Sequence, residues 1–172
     1  MMRRVAISAM SALALMALHG NTFAQSKGAS DSVNAQFIIG ELQKEGFVPK
    51  LDKDDDGEPR LTFKVDGYEW SIYFYACGPG ATETRPCVSY QFYSGYTSNK
   101  AVPLEIINQW NTDKRYARAY NYVQKDGKTS SRIEIDVLSE GTQANKSETF
   151  LAFFQKMKEA AQDFRKQINF RN

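Results

Sequence analysis

The sequence predicts an α+β domain: an antiparallel sheet of five to six strands with three helices, in the order α-β-β-β-β-α-β-β-α. Three observations carry this. Strand-like alternation and helical spacing occupy separate segments instead of repeating as βαβ units. Two Asp-Gly pairs, Asp66-Gly67 and Asp126-Gly127, each lie between runs of strand character, a hairpin signal. In the stretch from Ile106 to Tyr120 the apolar period changes from 3.6 to 2 across Asn111-Thr112-Asp113. A helix therefore hands directly to a strand there, with Trp110 at the join.

The first helix has Val33, Phe37, Ile38 and Leu42 at apolar positions, Asp31 or Ser32 as its cap and Gly46 as its stop. Phe47 to Leu51 contains Pro49 and reads as an edge strand at most. Arg60 to Val65 puts Leu61, Phe63 and Val65 on one face. The return strand, Tyr68 to Cys77, sets Trp70, Ile72 and Phe74 against Tyr73, Tyr75 and Cys77. After a loop, Cys87 to Tyr93 sets Val88, Tyr90 and Phe92 against Cys87, Ser89, Gln91 and Tyr93. The second helix uses Leu104, Ile107 and Trp110, and Asn108 or Asn111 is expected to serve backbone caps beside a buried Trp110. The following strand alternates Tyr116, Arg118 and Tyr120 with Ala117 and Ala119. Arg132 to Leu138 returns with Ile133, Ile135 and Val137 inward. Asn145 to Glu148 reads as a capping box opening a helix whose stripe is Phe150, Phe153, Phe154, Met157, Ala161, Phe164 and Ile168.

The N-terminus reads as a targeting segment. Met1-Met2-Arg3-Arg4 is a short basic start, Val5 to Leu18 is apolar, and Thr22-Phe23-Ala24 offers a cleavage site after Ala24. The apolar run is too short for a bilayer core of about 30 Å. Residues 1–24 are thus expected to leave as a signal peptide, 25–30 to form a flexible tail, and 31–172 to form a single domain. The one histidine, His19, leaves with the signal. Arg3 and Arg4 leave too, so the 22 basic side chains fall to 20, equal to the 20 acidic ones, and net charge falls from +2 to zero. A neutral chain gives no electrostatic reason to bind nucleic acid or an anionic membrane. Two cysteines in an exported chain, Cys77 and Cys87, make one disulfide most simply. The competing reading, a redox or metal pair, lacks both the Cys-x-x-Cys spacing and a histidine.

Several runs resemble the YbjN domain family: Asp54-Asp55-Asp56-Gly57-Glu58-Pro59, Gly67, Phe74-Tyr75-Ala76-Cys77 and Cys87. So do Ile107-Asn108-Gln109-Trp110-Asn111, Lys114-Arg115-Tyr116 and Ala119-Tyr120, and the likeness runs from about Phe37 to Phe164. The resemblance implies a type III secretion chaperone-like fold and a non-enzymatic role. Family members are described as sensory-transduction or stress regulators without an established catalytic site, so no catalytic residue is carried over. An exported member departs from the cytoplasmic regulator which that description implies.

Asp52 to Gly57 matches the opening of a calcium loop, but Phe63 stands at the twelfth position, where a bidentate glutamate is needed. The reading preferred is an acidic turn before a strand. Nucleophilic catalysis lacks its usual base once His19 is gone. Glu134 and Asp136, beside Arg132 on a strand, read as solvated charges. Neither a metal nor a cofactor is expected. The aromatic residues offer more. Tyr116, Arg118, Tyr120 and Tyr122 share a strand face, with Arg132 and Glu134 on the hairpin partner, and tyrosine and arginine favour contact surfaces. Packing beneath helices or across strands competes with that reading. The function expected is a periplasmic or secreted, non-enzymatic, chaperone-like or stress-regulatory domain. Its partner would be another polypeptide, a second copy of the chain included. A secreted hydrolase with a histidine-free site and a structural envelope component are the alternatives.

Overall fold

The computed structural model describes residues 33–98, 100–139 and 146–170. The elements are α1 (Ala35–Lys44), β1 (Lys50–Lys53), β2 (Pro59–Val65), β3 (Tyr68–Tyr75), β4 (Ser89–Ser98), α2 (Leu104–Asp113), β5 (Arg118–Val123), β6 (Thr129–Leu138) and α3 (Lys146–Gln167). The six strands form one antiparallel sheet in the order β1-β2-β3-β4-β6-β5, so β1 and β5 are its edges. Three helices, six strands and their order agree with the sequence reading. The signal segment 1–24, the tail 25–30, the caps Asp31 and Ser32, and Asn145 of the capping box lie outside the described residues.

Alternation along the strands sorts side chains onto two faces. Leu61, Phe63, Trp70, Ile72, Phe74, Tyr90, Phe92, Ile133, Ile135 and Val137 are buried on the face that the helices cover. They meet Ile38 and Leu42 of α1, Ile107 and Trp110 of α2, and Phe150, Phe154, Met157, Ala161 and Phe164 of α3. Phe154 is the centre of this layer, with Phe47, Phe63, Trp70 and Phe92 around its ring at 5.3–6.3 Å. No helix is layered on the opposite face among the described residues.

Local chemistry sets the ends of the elements. The α1 cap is Asn34, whose Oδ1 accepts from the Phe37 amide at 2.8 Å. The helix stops where Gly46 turns left-handed at φ +84°, with the Gly46 amide on the Gln43 carbonyl and the Phe47 amide on Leu42. Asp66 and Gly67 both have positive φ, the primed turn of a two-residue hairpin. The acidic run is also a turn, and it has a twin. The Asp54 amide bonds the Glu58 carbonyl and the Gly57 amide the Asp54 carbonyl, just as Gln124 bonds Lys128 and Gly127 bonds Gln124. The Asp54 carboxylate is occupied by the amides of Asp56 and Glu58.

The structure corrects the sequence reading at several places. β1 begins at Lys50, because Phe47 leaves the sheet to pack on the rings of Phe63 and Phe154. β4 continues past Tyr93 to Ser98 and β6 begins at Thr129 instead of Arg132, since the two strands pair along their whole length. Leu104 is 65 % exposed, in the first turn of α2 and away from the core. The cysteines do not lie on the tyrosine face. Ala76 adopts φ +54°, which breaks the alternation of β3 and turns Cys77 inward. Cys77 and Cys87 form a disulfide buried at the end of the sheet, and the Cys87 amide donates to the Val33 carbonyl.

Candidate functional site

The uncovered face of the sheet is built by register. Ser71, Tyr93, Glu134 and Arg118 lie in one row across β3, β4, β6 and β5, and Tyr73, Gln91 and Asp136 lie in the next. Tyr120 stands beside Arg132, and Tyr122 beside Ser130. An unlayered face normally leaves its polar side chains in water, yet Ser71, Gln91, Ser130 and Glu134 are all under 10 % exposed. Tyrosine rings cover them. Tyr73 and Tyr93 meet edge to face at 5.7 Å, and the Arg132 guanidinium lies 3.7 Å from the Tyr122 ring centre and 5.4 Å from that of Tyr93. Tyr93 lies across Gly95, where a Cβ would come within 3.0 Å of the Tyr93 hydroxyl and 2.9 Å of Ser130 Oγ.

A polar chain runs through this paving. The Tyr75 hydroxyl donates to Gln91 Oε1 at 3.2 Å, and Gln91 Nε2 donates to Asp136 Oδ1 at 2.8 Å. Arg118 spans the two carboxylates, with Nε on Glu134 and Nη2 on Asp136 at 3.6 Å. The Tyr120 hydroxyl donates to Glu134 Oε2 at 3.0 Å. Burial, with the Glu134 and Asp136 charges adding to it, pushes the Tyr75 hydroxyl up to about 12. Burial also pushes Tyr93 up to about 12, against the opposing pull of Arg132. Tyr120 is raised by burial and by Glu134. Tyr75 and Tyr120 use their hydroxyl protons as donors.

Of the residues expected at a binding surface, Arg118, Tyr120, Tyr122, Arg132 and Glu134 come together. Tyr116 does not. The chain bends at Arg115–Tyr116 before β5 begins, and Tyr116 packs edge to face on Phe153 of α3, on the helix side. The face also includes Tyr73, Tyr75, Gln91, Tyr93 and Asp136, which the sequence reading left out of the surface. Hairpin register together with side-chain parity was the signal that could have joined them.

The helix-to-strand join is a docking device. Trp110 is fully buried, and its indole N–H donates to the Ala117 carbonyl at 2.8 Å. The Asn111 amide grips both backbone groups of Ala119, accepting from its N–H at 2.7 Å and donating to its carbonyl at 3.0 Å. Asn111 is therefore a strand clamp and not the helix cap expected. Asn108 is exposed and caps nothing with its side chain; its carbonyl accepts from Thr112 Oγ1. A concavity of about 810 Å³ lies elsewhere, between β4, the Lys100–Pro103 loop and the Ile168–Phe170 segment. Among the described residues no group of three or more potential ligands is arranged to hold a metal. Nor is any helix among them long and apolar enough to cross a membrane.

Comparison with known proteins adds the following. Residues 35–170 match the YbjN family model, described as "Putative bacterial sensory transduction regulator". No curated protein matches the sequence. The fold is similar to that of a crystal structure of Escherichia coli YbjN, described as "a putative transcription regulator", with TM-score 0.54 and 13 % identity over 74 % of this chain and 85 % of that one. It is also similar to an uncharacterized protein from Methanothermobacter thermautotrophicus, with TM-score 0.55 and 9 % identity over 80 % of this chain and 97 % of that one.

Proposed function

The chain belongs to the YbjN family, and from that premise we propose that it is an exported, non-enzymatic binding domain whose open sheet face holds another polypeptide. The observation that carries this reading is the tyrosine–arginine paving of a face that no helix covers among the described residues. Tyr75 and Tyr122 are 39 % and 43 % exposed, while their neighbours fix them in place. A contact surface made of large, pre-ordered rings with polar tips binds at low entropic cost. The carboxylate pair favours the same reading over a hydrolase. Arg118, Tyr120 and Gln91 already engage Glu134 and Asp136, the arrangement of a structural network and not of an acid/base pair with room for a substrate.

Export is supported by the Arg3–Ala24 pattern and by the disulfide, which belongs to an oxidising compartment. Sequencing the N-terminus of protein recovered from the envelope or secreted fraction is expected to read from Gln25, and an intact cytosolic chain starting at Met1 would overturn the localisation. Binding is tested by a photo-crosslinking residue placed at Tyr75 or at Tyr122. Adducts to a protein, a second copy included, are expected there and not from Lys53 at the sheet edge. Adducts absent from both tyrosine positions, or equal at Lys53, remove the open face as the binding surface.

A further inference from the structure

The two edges of the sheet, β1 and β5, are closed by side chains. At β5 the residues facing away from β6 are Ala119, Asn121 and Val123. This follows because both backbone groups of Ala119 go to Asn111, and the Gln124 amide pairs back across the hairpin to Lys128. An unpaired N–H and C=O at an edge is the unit by which another strand is recruited. The Asn111 carboxamide carries one acceptor and one donor in the spacing of a peptide, and it fills both sites of Ala119 as a neighbouring strand would.

We propose that Asn111 is an edge guard: its amide occupies the strand-pairing groups of Ala119 and keeps β5 from pairing with β5 of a second copy of the chain. That occupant follows from the edge itself. β5 is an edge strand, and two copies of it related by a two-fold axis run antiparallel and present the same outward groups to each other. The remaining outward positions suit it, with Val123 67 % exposed and uncharged beside Tyr122. The opposite edge carries an independent closure of the same kind. The Lys53 amide, which by register faces away from β2, is taken by Asp52 Oδ1 at 2.8 Å. Pro49, two residues beyond Leu51, has no N–H to offer.

The guard is tested with the Asn111→Ala chain by sedimentation across a concentration series and by amide exchange at Ala119. Asn111 is itself exposed, so its removal leaves no core cavity. In dilute solution the Ala119 amide of N111A is expected to exchange at least tenfold faster than in the wild type. At high concentration that protection returns together with one association step beyond whatever the wild type shows. The double variant N111A/V123P, which removes an outward N–H further along the same edge, should lose that step and keep the fast exchange. The Ile107→Val chain, destabilised with the clamp intact, should gain no step. An N111A chain that associates no further than the wild type overturns the proposal, as does a step that survives V123P. Should N111A fail to fold, N111L, which keeps the bulk and removes both polar atoms, decides by the same readings.

Discussion

The two faces of the sheet are both paved with rings, but they hold them differently. On the covered face Phe63, Trp70, Phe92 and Phe154 interlock at 5.9–6.3 Å under the helices, and the Trp70 indole N–H is buried without a partner. On the open face the Tyr75 and Tyr120 hydroxyls meet Gln91 and Glu134, and the rings lie over a buried glutamate instead of under a helix. The first arrangement is sealed by a second layer of chain. The second is sealed by its own side chains. Burial therefore does not require a layer, although Arg60 Nε and Arg132 Nε on the open face, like Trp70 Nε1 on the other, are buried without a hydrogen-bond partner among the described residues.

The comparison breaks first on the covered face. Phe154→Ala removes the ring that five others surround, and urea denaturation is expected to show a loss of about 3–5 kcal/mol. A loss below about 1 kcal/mol would mean that the layer repacks freely. On the open face, Arg118→Ala leaves the buried Glu134 carboxylate without its guanidinium, and a loss of about 1–3 kcal/mol is expected by the same measurement. A neutral result would make the polar chain decorative. Tyr122→Ala takes away the ring over Arg132 but opens no core, and should cost about 0.5–1 kcal/mol. Above about 2 kcal/mol, Tyr122 would belong with the core and not with the surface.

Alkaline pH sharpens the difference without a mutation. Tyr75 and Tyr93 hold their protons up to about 12 when folded, against about 10 for an ordinary tyrosine in the unfolded chain. Because the raised value belongs to the folded state, their contribution is intact below pH 10 and is lost as pH rises from about 10 toward 12. Stability near neutral pH is untouched. Absorbance of tyrosinate at 295 nm should rise later for the native protein than for the same chain in urea, and coincident curves would place these hydroxyls in water.

The sequence made the element order readable, because each segment has an unambiguous period and its own turn chemistry. What it hid was burial supplied by neighbours. Ser94-Gly95-Tyr96-Thr97 reads as polar loop, yet β4 runs through it, because Tyr96 closes the core at one end and Gly95 is the flat spot on which Tyr93 rests. Ser130 and Ser131 looked like hairpin connection and are buried strand. At the surface, the five grouped residues were legible from parity. Tyr116 was misplaced because parity holds only while the strand lasts, and the bend at Arg115–Tyr116 ends it. The positive φ of Ala76 moved Cys77 to the other face for the same reason. Asn111 was singled out as a cap because asparagine at a helix end usually is one. Its use as a surrogate strand depends on where β5 lands, which no local pattern states.

The start of α1 rests on residues that follow it by about fifty positions in the chain. The Gln36 amide bonds the Glu83 carbonyl, Asn34 Nδ2 bonds the Thr84 carbonyl, and Cys87 bonds Val33. Glu41, buried on the next turn, is met by Ser147 at the start of α3. A polypeptide that emerges from its N-terminus therefore presents its first helix long before that helix has a seat. The seat is a loop whose shape is secured only when Cys77 finds Cys87, and the far wall arrives later still. Until then the apolar stripe of Ile38 and Leu42 is without cover, so α1 becomes native only with segments that follow it in the chain.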